Sequence, residues 1–189
     1  GVEMYREVLK LTNTGSLPID ITIIDIENNN LNSDFPDVDG LITNLKGVLL
    51  TSILADCQGL LLYDDKKRVI GSIHSGWKGT LNRVGCNAIN LMIDEYGCNV
   101  DDIQVYMTPS ILKCCFEVED DVRTQFVDNF KDINIDDYIT NGDIIDGKQK
   151  YFIDTVGINK SILINMGIKE ENITITAKRI TKSEGDCHK

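Results

Sequence analysis

The stretch ADCQGLLLYDDKKRVIGSIHSGWKGT, residues 55–80, decides how the rest of the chain is read. Two apolar runs flank the charged turn Asp-Lys-Lys-Arg, a pattern that predicts a β-hairpin beginning at Cys57 and ending at His74. An antiparallel hairpin brings the start of its first strand beside the end of its second. The thiol of Cys57 and the imidazole of His74 are therefore expected as neighbours in space. Gly76 and Gly79 follow around Trp77 and Lys78, ahead of a predicted helix. Glycines before a helix start let backbone N–H groups approach an anion, and the lysine adds positive charge. A soft nucleophile or metal ligand, a base and an anion cradle converge only here.

The 189 residues (21.1 kDa) predict one domain, long enough to bury roughly 70% of its unfolded surface. The apolar runs are too short to cross a bilayer, and the charged, amphipathic opening does not resemble a secretory leader. A cytoplasmic protein without a membrane partner is the expectation. Nineteen basic against thirty acidic residues give a net charge of −11, which argues against duplex nucleic acid. A small anionic substrate stays compatible, because a pocket needs only two or three local cations. The six cysteines are Cys57, Cys86, Cys98, Cys114, Cys115 and Cys187. They are read as free thiols in a reducing compartment, since Cys114 and Cys115 are vicinal and no Cys-x-x-Cys pair exists. Two histidines limit any metal site.

Along the chain, Met4, Val8 and Leu11 predict a short amphipathic helix over residues 3–11. Strands are expected over 19–26, 41–44 and 47–54, with a polar turn region over 28–39 between the first two. Residues 81–96 give the strongest helix, on Val84, Ala88, Leu91, Met92 and Glu95, closed by Gly97. A strand over 103–107 leads to Thr-Pro-Ser, and a helix over 119–130 presents Val122, Phe126, Val127 and Phe130. The acidic segment 132–147 reads as a surface loop. A short extended piece over 151–153 precedes a helix that Asp154 caps and Gly167 ends, and a last strand covers 173–176. Strands and helices alternate without a regular βαβ rhythm, so the fold class is α+β, layered sheets flanked by helices.

Each chemical candidate has a bland counterpart. Cys57 alone reads as a small buried hydrophobe and His74 alone as a structural histidine. Together they fit either a zinc site, whose catalytic form needs three protein ligands, or a Cys–His nucleophile pair. Trp77 is core or a stacking wall for a ring. Residues 75–80 lack the spacing of a nucleotide P-loop, so glycines alone make a weak phosphate signal. Lys113 and Glu117 lie between a strand and a helix, where solvated charges are the ordinary case. His188 sits in an irregular tail and is read as non-functional.

The ordered set Asp39-Gly40, Ala55-Asp56-Cys57, His74-Ser-Gly-Trp-Lys-Gly79, Pro109-Ser-Ile…Cys115-Phe-Glu-Val118 and Phe152-Ile-Asp154 resembles the laccase-domain (YfiH-like) family through roughly residues 34–176. That family was first labelled multicopper polyphenol oxidase and is now regarded as zinc-dependent purine nucleoside phosphorylases with adenosine deaminase activity. The resemblance implies an αββα-type sandwich. It implies Cys57 and His74 as zinc ligands, with the family's third ligand, a histidine in a Gln-x-His segment, lacking a counterpart at 15–20. Two further departures are the family's Cys-Thr segment near 177–179 and its glycine-rich opening, neither found here. The single domain, 1–189, therefore shows the family pattern without parts of its N-terminus and two loops.

What the resemblance implies for activity is binding of purine nucleosides and phosphate by a monomer. Phosphate would attack C1′ of the ribose as the bond to the base breaks, with Lys78 and Arg179 as substrate and phosphate contacts. In deamination, a metal-activated water would attack C6 of adenine. Glu117 or Asp56 would handle protons, beside Cys57 and His74. Three alternatives are a metal-free hydrolase using Cys57 and His74, a copper-dependent polyphenol oxidase and a non-catalytic partner-binding remnant. Copper fares poorly with two histidines.

Overall fold

The computed structural model of the chain describes residues 38–176 in full and the backbone of residues 7–12, 21–23 and 34–36. The first five strands are β1 (Glu7–Thr12), β2 (Ile21–Ile23), β3 (Asp34–Pro36), β4 (Gly40–Thr43) and β5 (Val48–Ser52). The hairpin strands β6 (Gln58–Asp64) and β7 (Val69–Ser75) come next, then helices α1 (Trp77–Leu81) and α2 (Val84–Tyr96) and strand β8 (Ile103–Met107). Strand β9 (Glu117–Val118), helix α3 (Asp120–Asn129), strands β10 (Ile139–Ile145) and β11 (Lys148–Ile153), helix α4 (Thr155–Asn165) and strand β12 (Ile173–Ile175) complete them.

The hairpin forms in the predicted register, Gln58 opposite Ser75 through Asp64 opposite Val69, and sits in the middle of a six-stranded sheet ordered β12-β8-β6-β7-β4-β2. The inner pairs are antiparallel, while β12 joins β8 and β2 joins β4 in parallel. Side chains alternate between two faces. Leu60, Leu62, Val69, Ile73 and Ile42 point to one face, where they pack with Val84, Ile89 and Met92 of α2 and Ile158 and Ile162 of α4. Leu41 and Ile70 point to the other face and pack with Val48 and Leu50 of β5. That strand belongs to a small parallel sheet, β3-β1-β5. A third sheet, β10-β11-β9, closes the described residues. The architecture is thus helices on sheet on sheet, the layered α+β arrangement expected.

Several elements differ from expectation. Residues 7–11, predicted helical, form β1, because a parallel partner on each side supplies the ladder that helical spacing alone would have to satisfy within one turn. Residues 34–36 are strand rather than turn. The helix predicted over 81–96 forms as α2 but begins three residues late, at Val84: Leu81 closes the short α1, and between them Arg83 adopts φ 55°, its guanidinium held by Asp132 and lying over the Phe130 ring. The acidic segment 132–147 carries a 3-10 turn and then β10, whose ladder to β11 outweighs its polar composition. Cys57, Cys86 and Cys98 are thiols, but Cys115 is disulfide-bonded. Vicinal Cys114 is not its partner, since the two Sγ atoms lie 3.4 Å apart, beyond the roughly 2.05 Å of a bridge. Vicinal spacing argues only against a bond between those two, not against one to a distant cysteine.

Helix α4 follows its predicted signals: Asp154 accepts a hydrogen bond from the Gly157 N–H, and Gly167, at φ 112°, ends the run. Leu60 is fully buried on the helix side of β6, whereas Leu61 on the opposite face is 44% exposed. Leu60→Ala is expected to lower unfolding free energy by about 2–5 kcal/mol and Leu61→Ala by under about 1 kcal/mol, measured by urea denaturation. Equal losses would contradict this facing of the strand.

Candidate functional site

The last rungs of the hairpin place chemistry on both faces of the sheet. His74 pairs with Gly59 and points to the β5 side, and Gln58 pairs with Ser75 and points to the helix side. Cys57 lies just before the first rung and Gly76 just after the last. A Cβ at Gly76 would stand 3.2 Å from Cys57 Sγ and 3.4 Å from His74 Nε2. The glycine therefore keeps open a gap into which thiol and imidazole both project. Its φ of −68° is ordinary, so space rather than backbone conformation requires glycine here.

The imidazole is held from behind. Nδ1 lies 3.1 Å from Asp39 Oδ1, and the His74 N–H donates to the Asp39 carbonyl at 2.6 Å. Asp39 is only 3% exposed. Its carboxylate, and after it the Cys57 side chain, push His74 up to about 9, against the opposing effect of burial. Other thiols behave differently: burial pushes Cys86 up to about 11 and Cys98 to about 12, as suits inert packing groups.

On the helix side a cavity of about 180 Å³ opens between the hairpin end and α4, with Asp56, Cys57 and Gly76 at its rim. Trp77, Ile111 and Phe116 give it apolar walls, and Gln58, Ser75 and Thr155 complete the lining. Trp77 serves as both core and wall, since it also packs against the main cluster. The wall is braced by a buried triad: Asn159 of α4 donates to Ser75 Oγ and Thr80 Oγ1, each at 3.2 Å, and Ser75 lies 3.1 Å from Thr80. Gln58 donates from Nε2 to the Thr108 carbonyl at 3.0 Å. The segment after β8 is tied down by Ile111 N–H to the Asp56 carbonyl and by the Gly59 N–H to Thr108 Oγ1.

Of the residues singled out from sequence, Cys57 and His74 come together, and Asp56 joins Cys57 in the lining of the cavity. Lys78 sits on α1 with Nζ 5.6 Å from the Trp77 ring centroid. Glu117 is exposed on β9 and does not line the cavity. Lys113 donates to the Asp137 carbonyl, away from the site. Arg179 and His188 lie outside the described residues. Asp39, Gln58 and Asn159 were not picked out as functional. Asp39 opens the Asp-Gly pair already quoted in the family pattern, but neither Gln58 nor Asn159 carries a sequence signal.

Thiol and imidazole suit zinc in donor type, and the gap over Gly76 gives both access to one point. In number they fall short of a three-ligand catalytic site, and among the described residues no group of three or more His, Cys, Asp or Glu side chains is placed to hold a metal.

A family model described as multi-copper polyphenol oxidoreductase laccase matches residues 19–186. The chain is 31% identical to purine nucleoside phosphorylase YlmD of Bacillus subtilis over 138 residues, 73% of this chain and 48% of that protein. It is 33% identical to adenosine deaminase RL5 of an unknown prokaryotic organism, over 72% of this chain and 50% of that one. The chain thus spans about half the length of these relatives. Among solved structures, a hypothetical protein YfiH from Bacillus licheniformis superposes with a TM-score of 0.78 at 22% identity, covering 90% of this chain and 64% of the other. That likeness establishes the fold.

The His74 environment is testable in metal-free protein. The fold favours the imidazolium, so its stabilising contribution is complete below the ordinary value of 6.5 and is lost as pH rises through about 9. An NMR titration should place His74 near that upper value, and Asp39→Asn should bring it down toward 6.5. Ordinary titration in the unsubstituted protein would refute the role given to Asp39.

Proposed function

The chain belongs to the multi-copper polyphenol oxidoreductase laccase family, and from that premise we propose that it acts on purine nucleosides, by phosphorolysis and by deamination of adenosine. The observation that carries this reading is the apolar cavity walled by Trp77 and Phe116, with Cys57 in its lining and His74 meeting Cys57 over Gly76. A flat aromatic base fits between such walls, because ring faces stack favourably at low conformational cost. The relatives named phosphorylase and deaminase supply the reaction classes.

In phosphorolysis a phosphate oxygen bonds to C1′ as the C1′–N9 bond breaks, and the bonding pair leaves with the base, which takes up a proton. Lys78, beside the Trp77 wall, offers positive charge to the phosphate. Asp56, at the cavity rim, is the carboxylate in reach for the proton, in preference to Glu117 on its exposed strand. Cys57 and His74 would hold zinc, with Asp39 fixing the imidazole so that Nε2 faces the metal. Zinc, when bound, supplies Lewis-acid activation of water for attack at C6 of adenine.

A second reading follows from one observation. Asp39, His74 and Cys57 stand in the order carboxylate, imidazole, thiol that nucleophilic cysteine enzymes use. In a metal-free hydrolase His74 would take the Cys57 proton. A copper oxidase finds less support, because a blue-copper centre needs two histidines with its cysteine and, among the described residues, His74 is the one histidine.

Two measurements separate these readings. Inosine should yield hypoxanthine only when phosphate is supplied, and Cys57→Ala should reduce kcat/KM by about 100-fold or more. Release of base without phosphate would indicate hydrolysis. Mapping of iodoacetamide adducts should show Cys57 protected in zinc-loaded protein and reactive after chelation. Rapid labelling that chelator leaves unchanged would favour the nucleophile.

A further inference from the structure

Thr155 opens α4 with a hydroxyl that no described residue engages. The residue is buried, 8% exposed, and lines the cavity between the hairpin end and the helix. Unpartnered side-chain atoms that are fully sealed from solvent, such as Gln58 Oε1, occur among the described residues, and Thr155 Oγ1 is not one of them. The hydroxyl is therefore accessible, and the opening that Thr155 lines is the cavity.

Its position is set on both sides. Before it, the Asp154 N–H donates to the Tyr138 carbonyl at 2.8 Å, and Asp154 Oδ1 accepts from the Gly157 N–H at 2.9 Å. One turn further, Asn159 lies on the same helix face and is tied to Ser75 of β7 and Thr80 of α1. The face that carries Thr155 is thus held toward the hairpin end. The other polar side chains of the lining are committed or of one kind. Ser75 is engaged with Thr80 and Asn159, and the Gln58 amide donates to Thr108 while its oxygen is sealed. A carboxylate such as Asp56 can only accept, whereas the Thr155 hydroxyl donates or accepts according to how its hydrogen turns.

Adenine carries an amino group at C6, which donates, and hypoxanthine carries a carbonyl there, which accepts. A fixed donor or a fixed acceptor would favour one base and leave the other facing an unpaired polar group. We propose that the Thr155 hydroxyl hydrogen-bonds the group at C6 of the bound purine, accepting from N6–H of adenosine and donating to O6 of inosine, so that one cavity takes both. This inference rests on the nucleoside reading of the site and adds to it a specificity-determining residue. Deamination exchanges the amine for the carbonyl, and rotation about the Cβ–Oγ1 bond lets the hydroxyl follow that exchange without moving the side chain.

The test uses the chain's single tryptophan, Trp77, whose place in the cavity wall makes its fluorescence a binding signal. Adenosine, inosine and 6-methylpurine riboside are compared without phosphate and within seconds of mixing; the third neither donates nor accepts at C6. Adenosine and inosine should each bind about fivefold more tightly than the methyl compound, as one neutral hydrogen bond warrants. In Thr155→Val, which replaces the hydroxyl by a methyl group of similar size, both should weaken until the three agree within about twofold. Thr155→Ser, which keeps the hydroxyl, should retain both gaps. Should a variant fail to fold, the three nucleosides on unsubstituted protein still decide the matter. Equal binding there overturns the inference, as does a gap that persists in Thr155→Val or a loss confined to one of the two substrates. If nucleosides bind and react but show no such gap, only the role of Thr155 fails. If no nucleoside binds or reacts, the proposed function fails, and this inference with it.

Discussion

The site depends on the register of one pair of strands. From Gln58–Ser75 to Asp64–Val69, β6 and β7 are matched residue for residue, and side chains at each rung alternate between the helix layer and the β5 layer. A slip of β6 by one residue against β7 would turn Gln58 toward β5 and would bury Leu61 in place of Leu60. The hydrophobic pattern forbids the slip, because Leu60, Leu62 and Ile73 form the centre of the main cluster while Leu61 is half exposed. The core thus selects the register, and the register delivers two functional groups to opposite faces at the same end of the hairpin. Cys57 and Gly76, one step beyond the paired region, are where those faces meet.

What holds this end open is a set of buried polar contacts. Hydrophobic packing alone would close a space between Trp77, Ile111 and Phe116. Instead, Asn159 reaches from α4 to Ser75 and Thr80 and fixes the distance between helix and hairpin. The segment after β8 is tied to the hairpin start through Asp56, Gly59 and Thr108. A buried network of this kind is stable only when its members are satisfied, and it then specifies one arrangement. Among the described residues, Gln58 departs from that rule at its oxygen, which is buried without a partner.

Legibility in the sequence followed the range of the interactions involved. The hairpin, the Asp154 cap and the Gly167 stop are local patterns, and all three could be read before any tertiary contact was known. Residues 7–11 misled because their apolar spacing fits a helix, while their partners Val48–Ser52 lie some forty positions away. Arg83 could not be recognised as a helix break, since Asp132 and Phe130, which hold it, come from beyond α3. For the site, the Cys57–His74 pairing followed from hairpin geometry. Gln58 could not be distinguished from any strand glutamine, because its character depends on the distant Thr108 carbonyl. Glu117 was adjacent in the motif to residues that line the cavity, yet strand alternation turns it outward.

The same alternation bears on how one site could support two chemistries. His74 and Asp39 occupy the β5 side, and the aromatic walls occupy the helix side, so on the proposed reading ring recognition and proton or metal chemistry would use different surfaces. Cys57 belongs to both: its sulfur meets the imidazole over Gly76, and its residue forms part of the cavity rim. On the proposed reading, which bond reacts would depend on what occupies the gap over Gly76. A metal there would take up the Nε2 lone pair and remove His74 as a base. Without one, the Asp39-supported imidazole keeps its protons and can exchange them with the thiol. The carboxylate–imidazole arrangement is common to both cases, so Asp39 organises the site whichever group completes it.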